Sequence, residues 1–273
     1  MIHKLLKIVF AAIIIVGVSS DALAQQQPPR PASACDNLVP HGYPQTTRSN
    51  TTMICRTAYV LLHDNNAKVA AWVAYTMSSV QVLGCYPRND AFAADRSLPR
   101  GHRSELSDFD NSGYDMGHIA SNADMSWDPL VARESFILSN IAPQLPNLNR
   151  GIWRQLETAV RTWTFNSGGT VTIYAGSIYN VNADQRIGAN RVIVPHAFYK
   201  IVINNQTEQS LAFIFPHRSG LGNDLRMFQT TVSEVENRTG IRFPVPDNPN
   251  QVRPLWHINQ SAMAAARRER CRS

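Results

Sequence analysis

Residues 149–163 read NRGIWRQLETAVRTW, a proline-free segment whose periodicity predicts a helix. Four side chains recur in it at intervals of four residues: Asn149, Trp153, Glu157 and Arg161. On a regular helix this spacing places them within about one third of the circumference. An amide, an indole, a carboxylate and a guanidinium together are unusual for a core face. The alternative is that Trp153 packs inward while Glu157 and Arg161 form a surface ion pair.

The axial separation along this helix bears on what the stripe could bind. In a regular helix Asn149 and Glu157 lie about 12 Å apart. One ion cannot contact both side chains directly over that distance. We therefore expect Asn149 to bind an ion directly and Glu157 to reach it through a bound water.

A second segment, residues 114–118 with the sequence YDMGH, places a glycine directly before His118. This pattern predicts a tight turn or a strand end, where the backbone can approach a ligand. A lone histidine is more often structural, but the downstream helix adds a hard oxygen ligand, a carboxylate and an arginine. Phosphodiester cleavage needs such groups: a base near neutral pKa, a hard cation and fixed positive charge.

These two segments, with NADM at residues 122–125 and LSNIAPQ at residues 138–144, resemble the DNA/RNA non-specific endonuclease family, the ββα-metal nucleases. The order and spacing of the motifs match from about Cys35 to Arg242. The resemblance implies that His118 is the general base and that Asn149 is the only direct protein ligand of a Mg²⁺ ion, with Mn²⁺ as a possible substitute. It also implies that Glu157 holds water bound to the metal.

Three further positions match the family by resemblance. Arg161 matches an arginine near the scissile phosphate, Arg88 matches a further phosphate-binding arginine, and Asn140 matches a polar residue beside the site. The implied activity is hydrolysis of DNA and RNA with little sequence preference and with 5′-phosphate products.

Met116 is the main departure from the family pattern, which usually has arginine or lysine at this position of its Asp-x-Gly-His motif. Ser121 also stands where proline is common. The first change removes one expected phosphate contact, which Arg103 or another arginine would have to replace. Neither change removes the base or the metal ligand, so we still expect activity.

The chain outside the motifs predicts an α+β fold with a mixed, mainly antiparallel sheet core, because strands and helices do not alternate regularly. To this the resemblance adds a ββα-metal finger and a long active-site helix. Asp64-Asn65-Asn66 predicts the turn of a hairpin. The predicted strands are 58–63, 69–75, 171–178, 192–194, 198–203 and 211–216, the predicted helices are 149–163, 224–238 and 264–270, and 86–114 is predicted as loop.

The first residues predict export. Lys4 and Lys7 precede an apolar run from Ile8 to Val18, and Ala22-Leu23-Ala24 follows, so we predict a signal peptide at 1–24 that is cut after Ala24. The alternative, a membrane anchor, is disfavoured because the run is shorter than the roughly 20 residues needed to cross a bilayer. A disordered linker at 25–34 and a single endonuclease domain at 35–273 complete the predicted organisation. The mature protein is expected to be periplasmic or secreted and not bound to a membrane.

Charge and cysteine content agree with an exported protein that binds a polyanion. The formal net charge is +6, and the four cysteines, Cys35, Cys55, Cys85 and Cys271, include no CxxC pair. At least one disulfide is therefore expected, with three complete pairings open. The alternatives to a nuclease are a catalytically weakened nucleic-acid-binding relative and a hydrolase of another exported phosphodiester. The sequence does not indicate an oligomeric state.

Overall fold

The computed structural model describes residues 32–272, which form an α+β fold around an antiparallel sheet. The strands, in chain order, are β1 (Gln45–Thr46), β2 (Thr51–Cys55), β3 (Val60–Asp64), β4 (Val69–Ser78), β5 (Asp115–His118), β6 (Ile141–Gln144), β7 (Thr170–Ile178), β8 (Arg186–Ile187), β9 (Val192–Ile193), β10 (Ala197–Asn204), β11 (Gln209–Pro216), β12 (Gln229–Thr230) and β13 (Ile241–Arg242). The α-helices are α1 (Pro129–Glu134), α2 (Arg154–Ser167), α3 (Val232–Thr239) and α4 (Gln260–Arg270). Short 3₁₀ helices cover Ala32–Leu38, Gln81–Leu83, Leu106–Asp108, Asn122–Asp124, Leu138–Asn140 and Leu225–Phe228.

The central sheet has seven strands in the order β12-β11-β10-β7-β4-β3-β2, each pair antiparallel. Its β3–β4 hairpin confirms the predicted turn, in which Asp64 Oδ1 accepts the backbone N–H groups of Asn66 and Ala67 at 3.0 Å each. The predicted fold class is confirmed, because the sheet dominates and the helices are few.

Both faces of the sheet are buried, so the fold has two apolar cores. Successive strand residues point to opposite faces, and on β10 Phe198 and Val202 join one core while Tyr199 and Ile201 join the other. Helix α2 covers the first face and α3 covers the second. The candidate site lies on the α2 side, since Ile119 and Ala120 belong to that core.

The predicted ββα unit is present. Strands β5 and β6 pair antiparallel, with Gly117 opposite Ala142 and His118 opposite Ile141, and the chain then enters α2. His118 ends β5, which agrees with the strand end that we predicted as an alternative to a turn. Gly117 lies inside the strand, where a Cβ would overlap the side chain of Gln144. The glycine is therefore required by the packing of the two strands.

The regular helix predicted over 149–163 is wrong in its first turn. Leu148–Trp153 is an irregular π-type segment in which Gly151 has non-helical angles (φ −100°, ψ −116°), and the regular helix begins at Arg154. Glycine tolerates such a conformation because it lacks a side chain. The periodic stripe and the axial distance deduced from it therefore do not extend back to Asn149.

The single helix predicted over 224–238 is also wrong. Asp224 caps a 3₁₀ turn, Gln229–Thr230 pairs with β11 and forms the edge strand β12, and the helix starts only after Thr231, whose hydroxyl accepts the Glu234 N–H at 3.0 Å. An apolar periodicity fits both arrangements, and pairing with the sheet edge decides between them. The C-terminal helix is confirmed but begins earlier than predicted, at Gln260.

The N-terminal boundaries fall mostly outside the described residues. The predicted signal peptide, its cleavage site and residues 25–31 of the predicted linker lie there, whereas the last three linker residues belong to the Ala32–Leu38 3₁₀ helix. Within residues 32–272, none of the helices combines the length and the apolar composition that crossing a membrane requires.

Two disulfides, Cys35–Cys55 and Cys85–Cys271, confirm the expectation of at least one. The second ties α4 to the loop that leads to Arg88, and Arg267 adds a hydrogen bond from Nε to Gly84 O at 2.8 Å. The disulfide thereby links the C-terminal segment to a loop near the start of the domain, since its two cysteines are 186 residues apart in the sequence.

We expect the double variant Cys85→Ser/Cys271→Ser to fold but to lose roughly 2–5 kcal/mol of unfolding free energy, because a long loop is no longer closed in the unfolded chain. Denaturant titration of variant and wild type measures the difference. Intact-mass analysis of the non-reduced exported protein serves as the control and should detect no free thiol. Free Cys85 and Cys271 in that protein would contradict the pairing.

Candidate active site

A cavity of 790 Å³ opens beside the ββα unit. Four of the six predicted site residues line it: Arg88, His118, Asn149 and Glu157. The other two, Asn140 and Arg161, lie behind its wall. The structure thus brings the predicted base, the predicted metal ligand and the carboxylate together around one space.

His118 ends β5 and is 8% exposed. Its ring contacts those of Phe92 and Phe136, with centroids 5.4 and 4.9 Å away. Burial, and secondarily the charge of Arg88, lowers the pKa of His118 to about 3. The imidazole is therefore neutral at neutral pH and can accept a proton, but it is a weaker base than the group of near-neutral pKa that we expected from the sequence. Nε2 is buried without a hydrogen-bond partner among the described residues, which leaves Nδ1 as the nitrogen that can meet water.

Asn149 is held by an ionised aspartate. Its Nδ2 donates to Asp115 Oδ2 at 2.8 Å, and Arg150 donates to both Asp115 oxygens at 2.8 and 2.6 Å. Burial raises the pKa of Asp115, but the hydrogen bonds from Arg150 and Asn149 outweigh it, so the pKa is lowered. With its nitrogen turned to Asp115, Asn149 keeps Oδ1 without a hydrogen-bond partner among residues 32–272. That oxygen is available to a ligand in the cavity.

Glu157 is a nearly buried carboxylate at the bottom of the cavity. It accepts a hydrogen bond from Ser121 Oγ at 3.1 Å. Burial raises its pKa, while the positive charge of Lys200 opposes that shift. Lys200 is itself buried, with Nζ 3.4 Å from Ile119 O and 4.7 Å from the centre of the Trp153 ring. Burial lowers the pKa of Lys200, and the charge of Glu157 opposes that shift, so each of the two buried groups favours the charged form of the other.

Arg161 does not face the cavity. Its guanidinium donates to Asp124 Oδ1 at 2.8 Å and lies 3.5 Å from Ser121 Oγ. Asp124 also accepts a hydrogen bond from Tyr75 at 2.6 Å. The alternative of a surface pair between Glu157 and Arg161 is wrong, because Arg161 pairs with Asp124 and Glu157 with Ser121. Contact between Arg161 and a phosphate stays a prediction.

Asn140 is fully buried and acts on the backbone. Its Nδ2 donates to Ala120 O and Ser135 O at 2.9 and 2.8 Å, and its Oδ1 accepts the Ala120 N–H at 2.9 Å. It therefore fixes the chain two residues after His118. The side chain is a positioning group, not one that touches a substrate.

Arg88 stands at the rim of the cavity, with 54% of its side chain exposed. It pairs with Asp90 at 2.7 Å and lies over the Phe136 ring at 5.2 Å. An exposed guanidinium in this place is accessible to a phosphate. Arg103, considered above as a replacement cation, instead pairs with Glu105 at 2.8 Å and lines a neighbouring cleft.

The sequence patterns did not indicate Arg154 and Lys200. Arg154 is exposed, lines the cavity and has no ion pair among the described residues. It precedes Glu157 by three residues, so helical spacing places both on one face. Lys200 is the only charged residue in the apolar strand AFYKIVIN of 197–204. This isolated charge in an apolar strand was the sequence feature that could have identified Lys200.

The donor set suits a hard divalent cation. Amide and carboxylate oxygens from Asn149 and Glu157 are of the kind that bind Mg²⁺, which retains several waters and needs few protein ligands. Within residues 32–272 there is no cluster of three or more His, Cys, Asp or Glu side chains arranged to hold a metal. The site residues thus fit an ion held largely by water and substrate.

Met116 is half-buried on β5 and lines both the cavity and an adjoining hollow. Its side chain therefore faces the open groove while packing in part against the core.

We expect Met116→Arg to raise the cleavage rate or to tighten nucleic-acid binding, because a charge-assisted hydrogen bond is worth about 1.5–3 kcal/mol where it forms well. The salt dependence should steepen by about 0.7–0.9 in slope for one added phosphate contact. Met116→Leu is the matched control that keeps the apolar packing. A folded Met116→Arg protein with wild-type rate and salt slope would show that position 116 is not a lost phosphate contact.

Comparison with known proteins places this site among nucleases. The sequence profile of DNA/RNA non-specific endonucleases matches residues 36–248. The chain is 30% identical over 264 residues to a nuclease of Nostoc sp. (strain PCC 7120 / SAG 25.82 / UTEX 2576), covering 89% of this chain and 94% of that protein. It is 30% identical over 202 residues to human mitochondrial endonuclease G, covering 69% and 68% of the two chains.

A solved structure gives the same fold. The crystal structure of the EndoG/EndoGI complex superimposes with a TM-score of 0.69 at 26% identity, covering 80% of this chain and 94% of that one.

Proposed function

The chain belongs to the DNA/RNA non-specific endonuclease family and is a nuclease, and we propose that it is an exported, Mg²⁺-dependent enzyme that hydrolyses both DNA and RNA. The observation that carries the proposal is the shared cavity, where the neutral ring of His118, the unpaired Oδ1 of Asn149 and the carboxylate of Glu157 meet. The exposed guanidiniums of Arg88 and Arg154 add positive charge to its lining.

His118 acts as the general base. Its neutral ring, with the proton on Nε2, accepts a proton from water at Nδ1, and that water attacks phosphorus in line with the departing 3′ oxygen. The surrounding Phe92 and Phe136 rings keep the imidazole unprotonated before the reaction. The contact from Trp153 Nε1 to His118 O, at 3.3 Å, fixes the strand end against the active-site helix.

Asn149 Oδ1 would bind the divalent ion, and Glu157 would accept hydrogen bonds from its water shell. The ion, Mg²⁺ or in its place Mn²⁺, supplies positive charge to the phosphoryl oxygens and to the leaving oxygen. Asp115 orients the Asn149 amide, and Ser121 orients Glu157. Each of the two groups that would hold the hydrated ion is thus oriented by a second side chain.

Substrate contacts in the cavity would be made with phosphate. Arg88 and Arg154 are suited to phosphate oxygens, and Arg161 would act through Ser121 and Glu157. Phosphate contacts position a nucleic acid without reading its bases, so weak sequence preference follows. Cleavage on the 3′-oxygen side yields 5′-phosphate products.

Export after cleavage behind Ala24, to the periplasm or the medium, belongs to the same proposal. The two disulfides support it, because such bonds persist in oxidising compartments. The basic charge of the chain suits a polyanionic substrate.

A plasmid-nicking assay tests the function. Protein comprising residues 25–273 should nick supercoiled DNA and degrade RNA in Mg²⁺, and EDTA should stop both reactions. End-labelling should find 5′ phosphates. Undiminished cutting in excess chelator would show that the metal assignment is wrong.

The same assay separates the two alternatives. Binding of DNA without cutting would identify a catalytically weakened relative. Hydrolysis of a small diester such as bis(4-nitrophenyl) phosphate, with DNA and RNA left intact, would identify a hydrolase of other phosphodiesters.

A further inference from the structure

A second concave surface lies beside the active-site cavity. This cleft, 700 Å³ in volume, is lined by Arg96, Arg100 and Leu106, among others, and shares Phe92 with the active-site cavity. A hollow of 480 Å³ joins the two, since it shares Met116 with the cavity and Leu106 with the cleft. Cavity, hollow and cleft therefore form one continuous groove, which we call the Arg96–Arg100 groove.

The groove carries two cations that the fold leaves unpaired. Arg96 and Arg100 are exposed, and neither guanidinium has an ion pair or hydrogen bond among residues 32–272. Arg103 in the same wall is neutralised by Glu105. Two free guanidiniums on a concave surface are suited to the phosphates of a bound strand.

The loop that carries these arginines is anchored to the core. Asp95, next to Arg96, is buried and accepts hydrogen bonds from Arg56 and from Ser139 Oγ at 2.6 Å each. Leu98 is also buried, two residues before Arg100. The cations are therefore held in place before any ligand arrives, which lowers the entropic cost of binding.

Between the cations and the cavity, the hollow is lined by apolar side chains together with Asp110 and with Asp90 and Asp115, which pair with Arg88 and Arg150. Phe92 and Tyr114 are half-buried, and Leu106 is 45% exposed. Aromatic rings beside a positively charged groove are the combination that binds single-stranded nucleic acid, since any base can stack on them. A surface that bound only the phosphates of a nucleic acid would not require aromatic rings at these positions.

We propose that the Arg96–Arg100 groove binds the single-stranded nucleic acid flanking the scissile phosphate, with Arg96 and Arg100 on backbone phosphates and Phe92 and Tyr114 against bases. The inference rests on the proposed nuclease function and extends it. It implies that the enzyme acts best on strands long enough to reach from His118 to Arg100.

The test compares Arg96→Gln/Arg100→Gln with its parent, both carrying His118→Ala to prevent cleavage. Binding of a labelled 12-nucleotide single-stranded DNA is followed by fluorescence anisotropy over a range of NaCl concentrations. The dissociation constant of the double variant should rise on the order of 10-fold, and its salt slope should fall by about 1.4, or about 0.7 for each lost phosphate contact.

A charge-matched control is Arg238→Gln/Arg242→Gln. Arg238 lies in α3 and Arg242 ends β13, two elements that pack on the opposite face of the sheet, and the two arginines pair there with Glu234 and Glu236. This control should keep the parent's affinity and salt slope. Equal losses in both double variants would show a long-range charge effect and overturn the groove.

A kinetic readout completes the design in protein with His118 intact. The specificity constant for the 12-nucleotide strand, divided by that for bis(4-nitrophenyl) phosphate, should fall about 10-fold in Arg96→Gln/Arg100→Gln. An unchanged ratio together with an unchanged salt slope would overturn the groove while leaving the nuclease function intact. If the wild type neither binds nor cuts nucleic acid, the plasmid-nicking assay already shows this, and both the nuclease function and the groove are wrong.

Discussion

Replacing His118 with alanine is expected to lower kcat by about 10²–10⁴-fold, the usual contribution of a general base. The neutral imidazole accepts a proton only as the reaction proceeds, so its loss removes stabilisation of the transition state and not of the bound substrate. Single-turnover cleavage of plasmid DNA measures the rate, and anisotropy measures the affinity, which should stay near the wild-type value.

His196→Ala is the matched control for this variant. His196 is partly exposed and bonds to Asp184 at 2.9 Å, outside the residues that line the cavity. The control should cut at the wild-type rate. Retention of more than roughly a tenth of that rate in His118→Ala would exclude His118 as the base.

The pH dependence of kcat/KM should reflect Glu157 more than His118. Because burial lowers the pKa of His118 to about 3, the base stays unprotonated from neutral pH down to strongly acidic pH. Burial raises the pKa of Glu157, so its carboxylate becomes protonated first as pH falls. Activity measured from pH 4.5 to 8.5 should therefore fall on the acid side, and Glu157→Gln should remove that dependence. An acid limb near pH 6.5 that persists in Glu157→Gln would assign it to His118 instead.

Local patterns predicted those parts of the fold in which neighbours along the chain decide the structure. The hairpin between β3 and β4 follows from turn residues between apolar runs, whereas the ββα unit was implied by the resemblance to the endonuclease family. Gly151 shows where prediction from local patterns fails. A glycine is compatible with a continued helix or with a break, and contacts from distant residues, such as the bond between Asn149 and Asp115, select the break.

Site residues could be predicted from the sequence where the type of side chain alone indicates its function. His118, Asn149 and Glu157 were identified by type and order, and the cavity brings them together. The roles of Arg161 and Asn140 depend on partners elsewhere in the chain. Arg161 forms a hydrogen bond with Asp124, which lies 37 residues earlier in the chain. Local sequence patterns cannot predict a contact between residues so far apart.

Lys200 shows why electrostatics within the core escaped the sequence patterns. An isolated lysine in an apolar strand indicates a buried charge, which must be compensated. The compensating groups, Glu157 and the Trp153 ring, lie on another element, so only the packing of α2 on the sheet identifies them. The electrostatic environment of Glu157 therefore could not be predicted from the sequence without knowing how α2 packs on the sheet.

Asn149→Ala should reduce cleavage by at least about 10²-fold at low Mg²⁺ concentration, because the variant lacks the only direct protein ligand proposed for the ion. Raising the Mg²⁺ concentration should restore part of the rate, since the water shell and the phosphate oxygens remain. Binding of Mn²⁺, followed by electron paramagnetic resonance, provides a readout independent of activity and should weaken in the variant.

Two further variants separate metal binding from loss of local structure. Asn147→Ala alters an exposed side chain of the same segment, outside the residues that line the cavity, and should leave Mn²⁺ binding intact. Asp115→Asn keeps the Asn149 oxygen but removes the charge that orients its amide, so metal affinity should fall by about 10–100-fold, as for other groups that orient a ligand. Equal Mn²⁺ affinity in wild type and Asn149→Ala would place the ion elsewhere in the cavity. In that case one of the carboxylates that line the cavity, Glu157, Asp115 or Asp90, would have to bind the ion directly.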